Sequence, residues 1–372
     1  MDRVRTFCSP SASPHDRGEA FGAANASDVG ATYERYAELF DAVAGRSAAG
    51  RPVELRPLGE EALAAIAAYS AAAESEIRGI AGGAGLEPWQ LAALNARTEI
   101  LARLGAPARG ECSTVVDLRG RRSPLTIQTW DWHDTLADGW FAWTIDYPDG
   151  RVVHTVTEYG ILAKIGVSSR GVGVHMNILQ HARDGGPIGA PVHILARAVL
   201  EGADDPGAAL ALLGQAETSA STVLTIIGAS EGGSAVAGAE LSPDGPRYVL
   251  PDAGGLYLHT NHFLDPHLAA HDRAPRLGPD SYLRLDVLRR ALHDRPAADL
   301  DELVHRLADH SAGPGSVCCH AADDAPLADR WATLATVGLD VAKGDLSVRR
   351  GGPCDERASW HRCRAGAAAP VG

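Results

Sequence analysis

Cys112 opens the run Cys-Ser-Thr-Val-Val directly after the connector Ala108-Arg109-Gly110-Glu111. A thiol becomes a strong nucleophile only when a base takes its proton. If the peptide bond after Glu111 were opened, the new α-amine of Cys112, with an unperturbed pKa of about 7.7–8.0, would be that base. The same thiol can make the cut. It attacks the Glu111 carbonyl, an N→S shift gives a thioester, and water releases residues 1–111 from residues 112–372. The plainer alternative is a structural cysteine at a strand start, because free Cys is among the most buried residue types.

Other residues offer weaker chemistry. His175, His259 and His262 could pair with Cys112 in an uncut Cys–His site, although isolated histidines are more commonly hydrogen-bonded structural residues. Cys318, Cys319 and His320, with Cys354, His361 and Cys363, contain metal-ligand types, but their spacing fits no familiar zinc pattern, so no metal is expected. No glycine-rich phosphate loop stands between a strand and a helix, so no nucleotide cofactor is expected either. Trp130, Trp132, Trp140, Phe141 and Trp143 read either as core or as one wall of an apolar substrate pocket.

These residues need elements to hold them. Residues 1–28, rich in Ser, Ala, Pro and Gly, read as a mobile arm before a single domain over 29–372. Over 58–105 a stripe of Leu63, Ile66, Ala67, Ser70, Ala73, Ile77 and Ile80 predicts one helix, ending at Gly82-Gly83-Ala84-Gly85. Pro88 then starts a second, giving a helical hairpin. From 112 the pattern becomes β-prone: 112–118, 124–130, 140–147, 151–157, 161–167 and 172–178, joined by short turns suited to antiparallel neighbours. Helices follow at 191–201 and 206–217, and strands at 222–228, 234–241 and 247–250. Helices return at 281–293 and 299–310. Strands at 316–320, 331–340 and 345–349 close the chain. This order is α+β rather than alternating βαβ.

The chain has 372 residues, 45 % of them apolar, and a net charge of −13. That balance argues against a nucleic-acid binder and against docking on anionic membranes, yet leaves room for a local basic pocket. No apolar run reaches membrane-spanning length and the N-terminus shows no apolar signal region. Six unevenly placed cysteines do not read as a disulfide framework, so a reducing cytoplasm is expected.

Leu94-Asn95-Ala96-Arg97-Thr98-Glu99, Glu111-Cys112-Ser113-Thr114 and Gln128-Thr129-Trp130-Asp131 come in that order, followed by the run from Thr157 to Gly166, then Gly171-Val172-Gly173-Val174, His259-Thr260-Asn261-His262-Phe263 and the tail from Ala332 to Pro353. Together they resemble the peptidase C45 family, which includes the acyl-CoA:6-aminopenicillanate (isopenicillin N) acyltransferases. The resemblance spans about residues 30–357. It implies the Ntn-hydrolase fold, a four-layer αββα sandwich matured by autocleavage before Cys. Interleaved strands are expected to keep the two fragments together as a heterodimer.

Carried over residue by residue, the resemblance makes Cys112 the nucleophile and Glu111–Cys112 the processing bond. Asp131 becomes the acid that holds and tunes the new α-ammonium or assists processing, and Asn261 an amide donor to the tetrahedral oxyanion. As plain residues, Asp131 reads as a turn or cap and Asn261 as a loop amide. One departure stands out: where the family has an Arg in an Ile-Cys-Arg-His-like segment, this chain has Cys319, which cannot supply a forked cationic donor. The resemblance implies hydrolysis of an acyl-amide, or transfer of the same acyl group from acyl-CoA or another acyl-thioester to an amine. A non-catalytic or unprocessed homologue is the third reading.

Overall fold

The computed structural model describes residues 3–45, 53–105, 112–322, 324–326 and 329–365. The chain begins with β1 (Thr6–Ser9) and six helices: α1 (Pro14–Ala24), α2 (Ala26–Ala44), α3 (Leu55–Tyr69), α4 (Ala71–Ala84), α5 (Pro88–Asn95) and α6 (Arg97–Arg103). Strands β2 (Ser113–Asp117), β3 (Leu125–His133), β4 (Trp140–Asp146), β5 (Val152–Glu158), β6 (Ile165–Ser168) and β7 (Val172–Ile178) follow. Then come α7 (Val192–Gly202), α8 (Pro206–Gly214), β8 (Thr222–Ser230), β9 (Gly233–Leu241), β10 (Arg247–Val249) and β11 (Leu256–His259). The last part holds α9 (Pro266–Ala269), α10 (Ala274–Leu277), α11 (Asp280–Leu292), α12 (Leu300–Arg306), β12 (Trp331–Asp340), β13 (Asp345–Arg350) and β14 (His361–Cys363).

The strands form two sheets. One runs β1-β4-β5-β6-β7-β8-β9-β10, the other β11-β2-β3-β12-β13-β14. Neighbours are antiparallel, as the short turns predict, except that β1 pairs parallel with β4. The sheets face each other through polar side chains. His175 Nε2 lies 3.1 Å from Thr126 Oγ1, Thr114 donates to Asn177 Oδ1 at 2.7 Å, and Gln128 Oε1 accepts from the Met176 N–H at 3.0 Å. Each of these buried side chains therefore has a partner in the opposite sheet, which is what allows it to be buried. Helices α7 and α8 cover the outer face of the larger sheet, and α11 and α12 that of the smaller. The layer order is helix, sheet, sheet, helix: the αββα sandwich expected from the sequence.

Three expectations need correction. Residues 4–28 are not a mobile arm. The strand β1 extends a sheet, and α1 packs into the protein with Phe21 stacked on Trp143 at 4.7 Å. The small residues that read as disorder make a close helix crossing instead. A Cβ on Gly18 or Gly22 would come 2.2–2.3 Å from backbone oxygens of α4, and one on Gly79 or Gly83 would come 2.2 Å from those of α1. Arg17 of α1 and Arg197 of α7 both bind the buried carboxylate of Glu76 on α4, at 3.0 and 2.9 Å. The hairpin over 58–105 is four helices, because Ser70 leaves α3 and caps α4, accepting the Ala73 N–H at 3.2 Å. Residues 316–320 form no strand. They run alongside β12, exchanging hydrogen bonds between Cys319 and Thr333.

Candidate functional site

Cys112 sits at the N-terminal end of β2, which lies between β11 and β3. Its side chain is buried, 5 % exposed, with Sγ 3.8 Å from the Asp131 carbonyl oxygen. The Cys112 carbonyl accepts from Asn177 Nδ2 at 2.9 Å and Arg284 Nη1 at 3.0 Å, so the residue's backbone is held from both the opposite sheet and α11. Burial pushes the thiol pKa up to about 12, and the Asp131 charge adds to the rise. The hydrogen bond to the Asp131 backbone and the cations of Arg284 and Lys164 pull the other way. In the uncut chain the thiol is therefore neutral at pH 7. Glu111 lies outside the described residues.

Asp131 is fully buried on β3 and stands opposite Thr333 of β12. Its charge acts on both thiols, adding to the rise in the pKa of Cys112 and of Cys318. Alternation along β3 sends Trp130 and Trp132 to the opposite face from Asp131. There Lys164 Nζ sits 4.1 Å from the Trp130 ring centre and the Arg97 guanidinium 3.9 Å from that of Trp132. Both cations pair with the buried carboxylate of Glu158, which also accepts the Tyr36 hydroxyl at 2.5 Å. Desolvation, with Arg97 beside it, holds Lys164 well below its ordinary pKa. The tryptophan cluster therefore divides. Trp130 and Trp132 line the cationic region near Cys112, while Phe141 and Trp143 stack with Phe21 and Tyr159 as core.

Asn261 follows β11. Its Nδ2 donates to the Ile178 carbonyl at 2.8 Å and its Oδ1 accepts both Arg284 Nη atoms at 3.2 Å. Arg284 thus links Asn261 to the Cys112 carbonyl, and it also reaches Ser113 Oγ at 3.3 Å and Asp280 at 3.3 Å. The structure brings Cys112, Asp131 and Asn261 into one region, with Arg284 as the residue that sequence reading missed. A signal for it existed: Ser281, Arg284, Leu285, Leu288 and Leu292 share the buried stripe of α11, and a charge on such a stripe needs a buried partner.

The histidines considered for an uncut Cys–His site are committed elsewhere. His175 binds Thr126, His259 Nε2 lies 2.8 Å from Glu240, and His262 Nδ1 lies 2.8 Å from Ser281 Oγ. Cys319 is buried with its thiol 3.3 Å from the Trp331 carbonyl, and the guanidinium that meets the Cys112 backbone comes from Arg284. Of the metal-ligand types noted in the sequence, Cys318, His320 and Cys354 converge, joined by His310.

Residues 119–355 match the family model described as acyl-coenzyme A:6-aminopenicillanic acid acyl-transferase. The chain belongs to this family. The matched span takes in Asp131, Asn261 and Arg284 and begins just past Cys112. A relative in Emericella nidulans, the acyl-coenzyme A:6-aminopenicillanic-acid-acyltransferase 40 kDa form, is 33 % identical over 209 residues. That match covers 56 % of this chain and 56 % of the relative, so the chain spans about half the length of the curated relative it matches. Among solved structures, the Caenorhabditis elegans N-acylethanolamine-hydrolyzing acid amidase ortholog is similar at 12 % identity and a TM-score of 0.43, covering 62 % of this chain and 93 % of that one. Penicillin V acylase from Agrobacterium tumefaciens is similar at 12 % identity and a TM-score of 0.41, covering 68 % and 86 %.

Proposed function

We propose that the chain is a self-processing cysteine hydrolase that opens the Glu111–Cys112 bond and then cleaves an acyl-amide through an acyl-thioester on Cys112. The observation that carries this reading is the placement of the Cys112 thiol. It sits at a strand mouth against Asp131, on a backbone clamped by Asn177 and Arg284.

In the intact chain the thiol attacks the Glu111 carbonyl. The nitrogen of Cys112 leaves that carbonyl as sulfur takes its place, and water then releases Glu111 as a carboxylate. The freed α-amine now sits two bonds from the thiol-bearing carbon. It takes the thiol proton as sulfur attacks the substrate carbonyl, and it returns that proton to the departing amine. Asp131 holds the ammonium form between these steps. Asn261 gives one N–H to Ile178, and its second is the donor proposed for the oxyanion; such a donor contributes about 2.7–4 kcal/mol.

Acyl transfer is the second reading, supported by the acyltransferase named in the 33 % identical relative. An amine acceptor would intercept the same acyl-enzyme in place of water, with an acyl-CoA or other acyl-thioester as donor and no resident cofactor. No helix among the described residues is long and apolar enough to cross a membrane, and the described cysteines are all free thiols. A reducing compartment such as the cytoplasm would keep the nucleophile available.

Intact mass spectrometry with N-terminal sequencing tests the proposal. Two chains are expected, the larger beginning Cys-Ser-Thr-Val. Incubation with N-acyl amines, with and without an added amine acceptor, then separates hydrolysis from transfer. A protein that remains one uncut chain and acylates no thiol would defeat both readings.

A further inference from the structure

Four side chains outside the proposed active site bring their donor atoms to one point. They are His310 in the loop after α12, Cys318 and His320 in the segment before β12, and Cys354 in the turn after β13; their ligand atoms all lie within 4.8 Å of one another. His320 Nε2 is 3.2 Å from His310 Nε2, 3.5 Å from Cys318 Sγ and 3.3 Å from Cys354 Sγ.

Hydrogen bonding does not account for this arrangement. One ring nitrogen carries either a single N–H or a single lone pair, directed in the ring plane, so it serves one good partner rather than three. A shared cation does account for it. With metal–nitrogen bonds of about 2.0–2.1 Å and metal–sulfur bonds of about 2.3 Å, a tetrahedron has edges of about 3.3 Å between nitrogens and about 3.6 Å between nitrogen and sulfur. Those are close to the three separations found.

The backbone makes room for the cluster as well. A Cβ on Gly352 would lie 2.5 Å from Cys318 Sγ, so only glycine lets the Cys354 turn close over that thiol. The Cys318 N–H donates to the Asp309 carbonyl at 3.1 Å, which fixes the thiol beside the His310 loop.

We propose that His310, Cys318, His320 and Cys354 form a four-ligand site for one tetrahedral divalent cation of the zinc class. Two thiolates and two imidazoles select a borderline-soft ion, and four protein ligands leave no open position, so the site is structural. It ties together three segments that share little secondary structure: the loop after α12, the stretch 316–320, and the turn after β13. The middle one hydrogen-bonds through Cys319 to Thr333, which stands opposite Asp131 in the ladder. The ion would therefore fix the strand neighbour of the active-site carboxylate while staying out of the chemistry. Ligand spacing hid the site, because the fourth ligand, Cys354, is contributed from beyond two intervening strands and His310 from the preceding loop.

Cobalt(II) titration of the purified full-length protein, stripped with chelator and kept reduced, tests the site. One equivalent per chain is expected, with the intense visible bands of a tetrahedral ion and near-ultraviolet thiolate-to-cobalt charge transfer, both abolished by one equivalent of zinc. Cys354→Ser and His310→Ala, both at solvent-accessible positions where the fold should persist by circular dichroism, are each expected to weaken cobalt binding at least about tenfold. Cys8→Ser, at an exposed position remote in sequence, should leave it unchanged. Absence of the tetrahedral bands in the wild-type chain, equal affinity in Cys354→Ser, or a Cys318–Cys354 disulfide in the chain as purified would each overturn the proposal.

Discussion

At the scale of single residues the site depends on how a buried thiol loses its proton. The Cys112 thiol is raised to about 12 mainly by burial, so in the uncut chain its ionised fraction grows about tenfold per pH unit through the neutral range. Self-cleavage is expected to accelerate by about that factor per unit between pH 6 and 9, followed as loss of the intact chain on gels; a flat profile would mean that thiolate formation does not limit the step. The same shift has a stability consequence of defined sign. The folded state holds this proton more tightly than the unfolded chain, so its contribution is intact below about pH 8.5 and is lost as pH rises toward 12. Once the α-amine exists, amide turnover should instead level off near the amine's own range of about 7.7–8.0. Cys112→Ala should give one uncut chain without activity, and a cleaved Cys112→Ala protein would refute the assignment. In the proposed mechanism Arg284 is a positioning residue, because its contacts are to the Cys112 carbonyl, Ser113 and Asn261. Arg284→Met is expected to lower turnover by about 10²-fold, the scale of a 1 Å misplacement, mostly in kcat. Arg284→Lys should recover little, because a point charge cannot reach the Cys112 carbonyl, Ser113 and Asn261 together. The sequence made Cys112, Asp131 and Asn261 visible through their motifs. Arg284 showed only as a charge on the buried stripe of α11, because the partners that give it importance, Cys112, Ser113 and Asn261, come from distant segments.

Elements were legible where period and punctuation agreed. The strands β2 to β5 and β7 to β9 follow runs of β-branched and aromatic residues between short turns, and their bounds fall close to the reading. One short element was missed: the four-residue β11, which carries His259 to the edge of the site, has too few residues to show a period. The N-terminal segment failed for a different reason. In α1 glycine and alanine do not mark a loose arm; with the glycines of α4 they let two helices cross in backbone contact. This conflict between propensity and packing gives an experiment with opposite signs. Helix propensity alone says that Gly79→Ala should stabilise by up to about 1 kcal/mol. The crossing says otherwise, since the new Cβ would sit 2.2 Å from the His15 carbonyl oxygen. Net destabilisation of about 1–3 kcal/mol is expected in urea unfolding, the range for overpacking a close contact. A more stable Gly79→Ala protein would show that the helices separate at little cost.

At the scale of the whole molecule, the division of the strands into two sheets could not be read. The turns within a sheet and the step from β3 to β4, which changes sheets, are of similar length and composition, so local chemistry does not mark where the sandwich folds over. That division decides what happens after the chain is opened. Residues 1–111 would keep β1 paired with β4 and Phe21 stacked on Trp143. Asn95 would still bind the Gly160 carbonyl and the Leu162 N–H, at 2.8 and 3.0 Å. Glu76 would still share its charge with Arg197. Separating the fragments would expose an aromatic face and strand a buried Arg, and breaking a buried pair by removing one partner costs about 3–5 kcal/mol by itself. The cut should therefore change the covalent structure and leave the fold intact. The processed protein is expected to elute from size exclusion as one species containing both fragments, at micromolar and at nanomolar concentration alike, and to release the smaller fragment only as the fold unfolds in denaturant. Dissociation on simple dilution would mean that these contacts do not bind the two pieces, and that the larger fragment carries its own sufficient core.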